Sequence, residues 1–233
     1  MRKHITALSI YLSLRIILMI LLQGIMYGVV MRTSLPVAAS SYYWPVHLTL
    51  INGGLLVLML VIFRKNGVQY FKLITQFNKQ DTRYFLLLLM PVIVTAMLPN
   101  VILSLLFYQD PFIGSEFLLG ELPLVFMIMN LSLFPILQGL VELPYYFLFI
   151  MPRLKNINPR KCWFIGLPVF FLSIQHAFMP FRFDLVYLLY RSLMFLPFAL
   201  LIGFLIHKRP SLVSYLVVLH ILMNASLFLM YFI

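Results

Sequence analysis

The sequence predicts an all-α polytopic membrane protein with about seven transmembrane helices, and three observations carry that prediction. Of 233 residues, 63% are hydrophobic and only 10% are charged, whereas soluble domains are roughly half apolar. The apolar residues form continuous runs that match the ~20 residues a helix needs to cross a bilayer, not the alternating ~10-residue segments of an outer-membrane barrel. Basic residues gather between alternate runs, as expected of cytoplasmic loops. Such spans use up the chain, so residues 1–233 read as a single integral membrane domain.

The runs cover approximately residues 5–31, 46–63, 85–108, 122–151, 162–179, 185–206 and 211–233. The first has a basic start, and Val37-Ala38-Ala39 faintly resembles a signal-peptidase site. The run is too long for the apolar core of a signal peptide, and it reads as a retained first span. With the amino terminus inside, the inner segments hold Arg2, Lys3, Arg64, Lys65, Lys72, Lys79, Arg83, Arg153, Lys155, Arg160, Lys161, Lys208 and Arg209. The outer segments hold Arg32 and Arg182, with the acids Asp110, Glu116, Glu121 and Asp184. This expectation is a multi-pass plasma-membrane protein with its amino terminus cytoplasmic and its carboxyl terminus outside.

The same asymmetry accounts for a formal net charge of +11 without nucleic acid as a partner; the partner expected from composition is the lipid bilayer. The single cysteine, Cys162, allows no intrachain disulfide, and no Cys/His cluster has structural zinc spacing. Arg64 to Tyr84 reads as an ordinary basic loop, with a short interfacial helix carrying Phe71, Leu73, Ile74 and Phe77 on its apolar side as the alternative.

An ionisable side chain in hydrocarbon needs a partner, a water-filled cavity or a task. Within the runs these are Arg15, Glu142, His176, Arg191 and His220, joined by the amide of Asn224. Glu142 is the only acid in any run. Counted from the nearest cytoplasmic boundary, Glu142 and His220 lie at depths of roughly 14 Å and His176 at roughly 21 Å, close enough to share a layer. His220 and Asn224 are four residues apart and project from one helix face. Pro144 leaves the carbonyl of Leu140 without its helical donor, which predicts a kinked, hydrated helix beside Glu142. Arg15 is expected to snorkel to the inner surface. Arg191 is expected to neutralise Glu142, with an anionic headgroup or a substrate carboxylate as alternatives. His4, His47 and His207 sit at boundaries and carry no signal.

These groups suit hydrolysis. A glutamate takes a proton from water, one imidazole orients or relays, and a second imidazole with an asparagine amide donates to the developing oxyanion. Glu142, His176 and His220 can instead hold a divalent metal such as zinc, although no HExxH pair exists and the chemistry requires no cofactor. An aspartyl dyad and a GxSG serine protease are both excluded, because the runs contain no aspartate and no such motif.

The segments Gln138-Gly139-Leu140-Val141-Glu142-Leu143-Pro144-Tyr145-Tyr146, Phe171-Leu172-Ser173-Ile174-Gln175-His176 and His220-Ile221-Leu222-Met223-Asn224 resemble, in that order, the three motifs of the CAAX prenyl protease type II family. That family takes in Abi and bacteriocin-processing membrane proteases and is marked by EExxxR, FxxxH and HxxxN. The resemblance covers roughly residues 120–233 and implies a helical core with a conical cavity within the bilayer. It also implies endopeptidase action through a glutamate-activated water. Glu142 matches the second glutamate, His176 the second-motif histidine, and His220 and Asn224 the third motif.

Val141 stands at the first glutamate position, Tyr146 at the arginine position, and Leu172 where the second motif has phenylalanine. Either Glu142 has become the base, with Arg191 or Tyr146 as charge partner or substrate contact, or proteolysis has been lost. Three functions follow from the resemblance. They are an intramembrane hydrolase acting on a membrane-embedded peptide or lipoprotein, an acyltransferase in lipoprotein N-acylation, and a non-catalytic immunity or scaffold protein.

Overall fold

The computed structural model describes residues 2–32, 39–229 and 232; of the Val37-Ala38-Ala39 stretch that resembles a signal-peptidase site, Val37 and Ala38 lie outside them, as does most of the chain beyond residue 229. Among the described residues every named secondary-structure element is a helix, and there is no strand element. In chain order the helices are α1 (Arg2–Val30), α2 (Ala39–Tyr42), α3 (Trp44–Lys65), α4 (Tyr70–Ile74), α5 (Lys79–Tyr108), α6 (Ile113–Leu118), α7 (Leu124–Leu131), α8 (Leu133–Pro144), α9 (Met151–Ile157), α10 (Lys161–Phe164), α11 (Gly166–Ile174), α12 (Leu185–Met194), α13 (Leu196–Lys208) and α14 (Val213–Leu229). A π-helical segment, Tyr145–Ile150, joins α8 to α9, and a 3-10 turn, Gln175–Ala177, ends α11.

Six stretches are long and apolar enough to cross a membrane: Leu8–Val30, Trp44–Lys65, Lys79–Tyr108, Leu133–Ile157, Leu185–Lys208 and Pro210–Leu229. The apolar run at 162–179 is absent from this set, because α10, α11 and the 3-10 turn divide it.

Proline places the breaks. It lacks an amide hydrogen and clashes with the carbonyl four residues back, but is tolerated in a helix's first turn. Pro135, Pro168 and Pro197 each sit in the first turn of α8, α11 and α13, and the preceding helix ends at the residue before Ser132, Ile165 and Phe195. Pro152 opens α9 in the same way after the π-helical turn. Polar caps set other starts: Asn78 Oδ1 accepts from the amide of Asp81 at 2.8 Å at the head of α5. Asp184 Oδ1 accepts from Val186 at 2.8 Å at the head of α12.

Contacts near the helix ends define two opposite ends of the molecule. At the basic end, Arg209 Nη1 lies 3.0 Å from Asp81 Oδ1, Tyr215 Oη donates to Asn78 O at 2.9 Å, and the Phe164 ring meets His207 at 5.1 Å. At the other end, Gln23 Nε2 donates to Phe181 O at 2.6 Å, Trp44 Nε1 donates to Leu118 O at 3.0 Å, and Arg182 lies over the Phe117 ring.

α8 occupies the centre, flanked by α3 and α14. A Cβ at Gly139 would stand 2.3 Å from Ile221 Cγ1 and 3.1 Å from Val217 O, so only glycine lets α8 and α14 approach this closely. The outer helices expose large apolar side chains such as Leu21, Leu87, Met90 and Leu106, the surface a bilayer would cover.

The polar connection after α3 contains α4, the short helix given as the alternative to a loop. Its inward face is Tyr70 and Ile74, while Phe71 and Phe77 are exposed. The Tyr70 hydroxyl donates to Leu140 O, the carbonyl that Pro144 strands. The carbonyl beside Glu142 is therefore satisfied by a tyrosine from another segment, where the sequence suggested water.

Candidate functional site

α8 presents Gln138 and Glu142 one turn apart on one face, and both are buried; Glu142 is 1% exposed. Its Oε1 accepts from Gln138 Nε2 at 2.7 Å and from Gln175 Nε2 at 2.8 Å. Arg15 Nη2 lies 3.5 Å from the same oxygen. His176 Nε2 is 3.9 Å from Oε1. On the other side, His220 Nε2 is 2.8 Å from Oε2, at ion-pair distance but without a ring N–H aligned for hydrogen bonding. The structure thus brings Glu142, His176 and His220 together from α8, the end of α11 and α14.

A second layer of amides steadies the first. Gln138 Oε1 accepts from Arg15 Nη2 at 3.1 Å and from Asn52 Nδ2 at 2.7 Å. Gln175 Oε1 accepts from Tyr146 Oη at 2.9 Å. Each glutamine is held at its carbonyl so that its amide points at Glu142. Tyr146 therefore reaches the carboxylate through Gln175, and it stands on the π-helical turn, a distortion frequent at functional sites.

His176 is oriented just as closely. Its Nδ1 lies 2.8 Å from Leu172 O and can only donate there, which in the neutral imidazole leaves the lone pair on Nε2, toward Glu142. Its ring stacks on Phe195, with centroids 3.6 Å apart. Asn224 Nδ2 donates back to His220 O at 2.8 Å within α14, and the side chain also lines a cavity. That cavity, about 150 Å³, is walled by Gln138, His176, Arg191, His220 and Asn224 together with apolar side chains that include Trp44, Phe195 and Phe198.

Neither arginine takes the role expected of it. Arg15 does not snorkel to the surface: it is 0% exposed and lies beside Glu142. It sits about midway along α1, too deep for its head group to reach water, and Glu142 offers it a partner. Arg191 does not neutralise Glu142. Its Nε donates to His176 O at 3.3 Å and its Nη2 to Met179 O at 2.8 Å, both backbone carbonyls just past the end of α11. His47, expected at a boundary, is buried.

Arg15, Asn52, Gln138 and Gln175 were not legible as site residues. Gln138 and Gln175 sit one turn before Glu142 and one residue before His176. Buried amides beside a membrane acid are the signal that could have found them, since any polar group held there needs a partner.

Among the described residues no group of three or more His, Cys, Asp or Glu side chains is arranged to hold a metal ion. The Arg15 guanidinium beside Glu142 also opposes a second cation there. No protein-family model, curated protein or solved structure matches this chain.

Proposed function

We propose that this protein is an intramembrane hydrolase, endopeptidase-like, of the CAAX-protease-like type its motifs resemble. The observation that carries this reading is the 3.9 Å between His176 Nε2 and Glu142 Oε1 beside a cavity among apolar helices. Both atoms are acceptors. The spacing is too long for a direct hydrogen bond and suits a water that donates one proton to each.

In this mechanism that water attacks a carbonyl entering the cavity. Its proton passes to His176 or Glu142 and then to the leaving amine as the C–N bond breaks, while Arg15, Gln138 and Gln175 hold the carboxylate in place. His220, against Oε2, and the Asn224 amide supply donors for the oxyanion. No step requires a metal.

The architecture supports seven passes, with the broken segment α10–α11 as the fifth. Its beginning, at Phe164, meets His207 at the basic end, and the residues after it, at Phe181, meet Gln23 at the opposite end. With the basic end cytoplasmic, the amino terminus lies inside and the carboxyl terminus outside a plasma membrane.

An acyltransferase on lipoprotein amino termini is the second reading, favoured by the apolar share of the cavity wall, since an amine in place of water would use the same base and oxyanion donors. Mass spectrometry of membrane-protein termini from cells with the wild-type gene, without it, or with His176→Ala decides. Termini that depend on the gene and on His176 support the hydrolase. Gene-dependent N-acylation with unchanged cleavage supports the acyltransferase. No change in either, or a phenotype intact with alanine at Glu142, His176, His220 and Asn224, leaves only a non-catalytic immunity or scaffold role.

A further inference from the structure

Arg191 is 2% exposed and sits in the same wall as the two imidazoles. Its guanidinium binds two backbone carbonyls and, at 3.5 Å, the Met194 sulfur, all neutral. No carboxylate of the described residues lies within ion-pair reach of it, since Glu142 pairs with Arg15 and the other acid in an ion pair, Asp81, with Arg209. The site therefore encloses two arginines and one glutamate, and one positive charge is unbalanced. Buried charges in membrane proteins are ordinarily paired, and a guanidinium held by its carbonyl contacts still presents N–H donors suited to a carboxylate or phosphate.

The surroundings are apolar. Trp44, Phe195, Phe198, Met223 and Leu227 share the cavity with Arg191, and about 150 Å³ is a size that admits a benzene-sized guest. α5 and α14 touch at the basic end, where Phe85 stacks on Tyr215. Further along, Ala96 of α5 and Leu227 of α14 both belong to the cavity wall, and the outer faces of the two helices are exposed at Met97 and Leu222. This side of the cavity is thus bounded by two helices whose outer faces lie toward lipid.

We propose that Arg191 is the anion subsite of this cavity, which takes an amphiphile bearing one acidic group, carboxylate or phosphate, on an apolar chain. The proposal deepens the reading of the cavity as the working site, yet it concerns binding alone.

The test uses the full chain in phosphatidylcholine nanodiscs, with Trp163→Phe so that Trp44 in the cavity wall reports binding. The probes are dodecanoate, dodecyl phosphate, dodecanol and dodecyltrimethylammonium. The expected result is saturable binding of at least one acidic probe, about tenfold or more tighter than dodecanol, with the cationic probe weakest. Arg191→Gln should remove that preference, Arg191→Lys should retain most of it, and Arg182→Gln should leave it unchanged. Dodecanoate the tighter of the two identifies a carboxylate ligand, and dodecyl phosphate the tighter identifies a phosphate.

Equal binding of acid and alcohol overturns the proposal, as does an acid preference that survives in folded Arg191→Gln. Should Arg191→Gln not fold, the wild-type comparison of acid with alcohol still decides. Arg191-dependent binding in a protein that hydrolyses nothing contradicts the hydrolase reading alone. Hydrolysis without acid preference contradicts the anion subsite alone.

Discussion

Replacing Arg15 by methionine keeps much of the apolar stem and removes the charge. Arg15 is fully buried, and its Nη2 lies 3.5 Å from Glu142 Oε1. At an effective dielectric constant of about 20, unit charges at that separation attract by roughly 5 kcal/mol. Desolvation of the guanidinium offsets part of this in the native protein, so the attraction is not the stability of the pair. Losing one partner is another matter, because the remaining carboxylate stays buried without its counter-charge, and such losses run at about 3–5 kcal/mol. Gln138 loses its Arg15 donor as well, although Asn52 still holds it.

Arg15→Met is therefore expected to destabilise the protein by about 3–5 kcal/mol, read by reversible unfolding in mixed micelles with Trp44 and Trp163 as fluorescent reporters. Glu142→Gln alone should also destabilise, by stranding Arg15. The double variant should lose less than the sum of the two, with a coupling of about 2 kcal/mol or more, because it buries neither charge alone. Strict additivity, or a loss below about 0.5 kcal/mol for Arg15→Met, would refute the view that the two charges stabilise one another.

Tyr70→Phe removes only the hydroxyl that serves the carbonyl stranded by Pro144, and an orphaned buried carbonyl should cost about 1–3 kcal/mol in the same unfolding assay. Gly139→Ala should lower stability by about 1–3 kcal/mol, because its Cβ would press on Ile221 and on the backbone at Val217; an unchanged midpoint would contradict the close α8–α14 contact. Cys162 is exposed at the basic end, so a membrane-impermeant maleimide should label inside-out vesicles and not intact cells. A cysteine placed at the fully exposed Phe183 in a Cys162→Ser background should label in the reverse pattern, and labelling of both positions from one side would contradict a crossing by α10–α11.

The long apolar runs were legible because hydrophobic length is written locally. The 162–179 run shows where local reading stops. Its composition suits a span, but Pro168 breaks it, and whether the pieces still cross depends on partners as remote as Gln23. In the site, Glu142, His176 and His220 were visible as rare ionisable groups at similar depth. Their pairing was not, because which arginine meets the carboxylate depends on helix packing. The sequence assigned Arg15 to the inner surface and Arg191 to Glu142, yet α1 turns Arg15 inward against Gln138 and Glu142. The carbonyls of His176 and Met179 take up Arg191. The tyrosine that covers Leu140 comes from a connection that composition marks only as basic and polar.

The claim that a bilayer-embedded carboxylate and two imidazoles form a hydrolytic site is tested most directly by turnover. Purified protein reconstituted in liposomes with membrane-spanning peptides and native lipoproteins should produce new termini carrying oxygen-18 from labelled water. Glu142→Gln and His176→Ala, verified as folded, should each lower the rate by about a hundredfold or more. Label incorporation at the wild-type rate in either variant would contradict the account, as would substrates left intact by the wild-type protein.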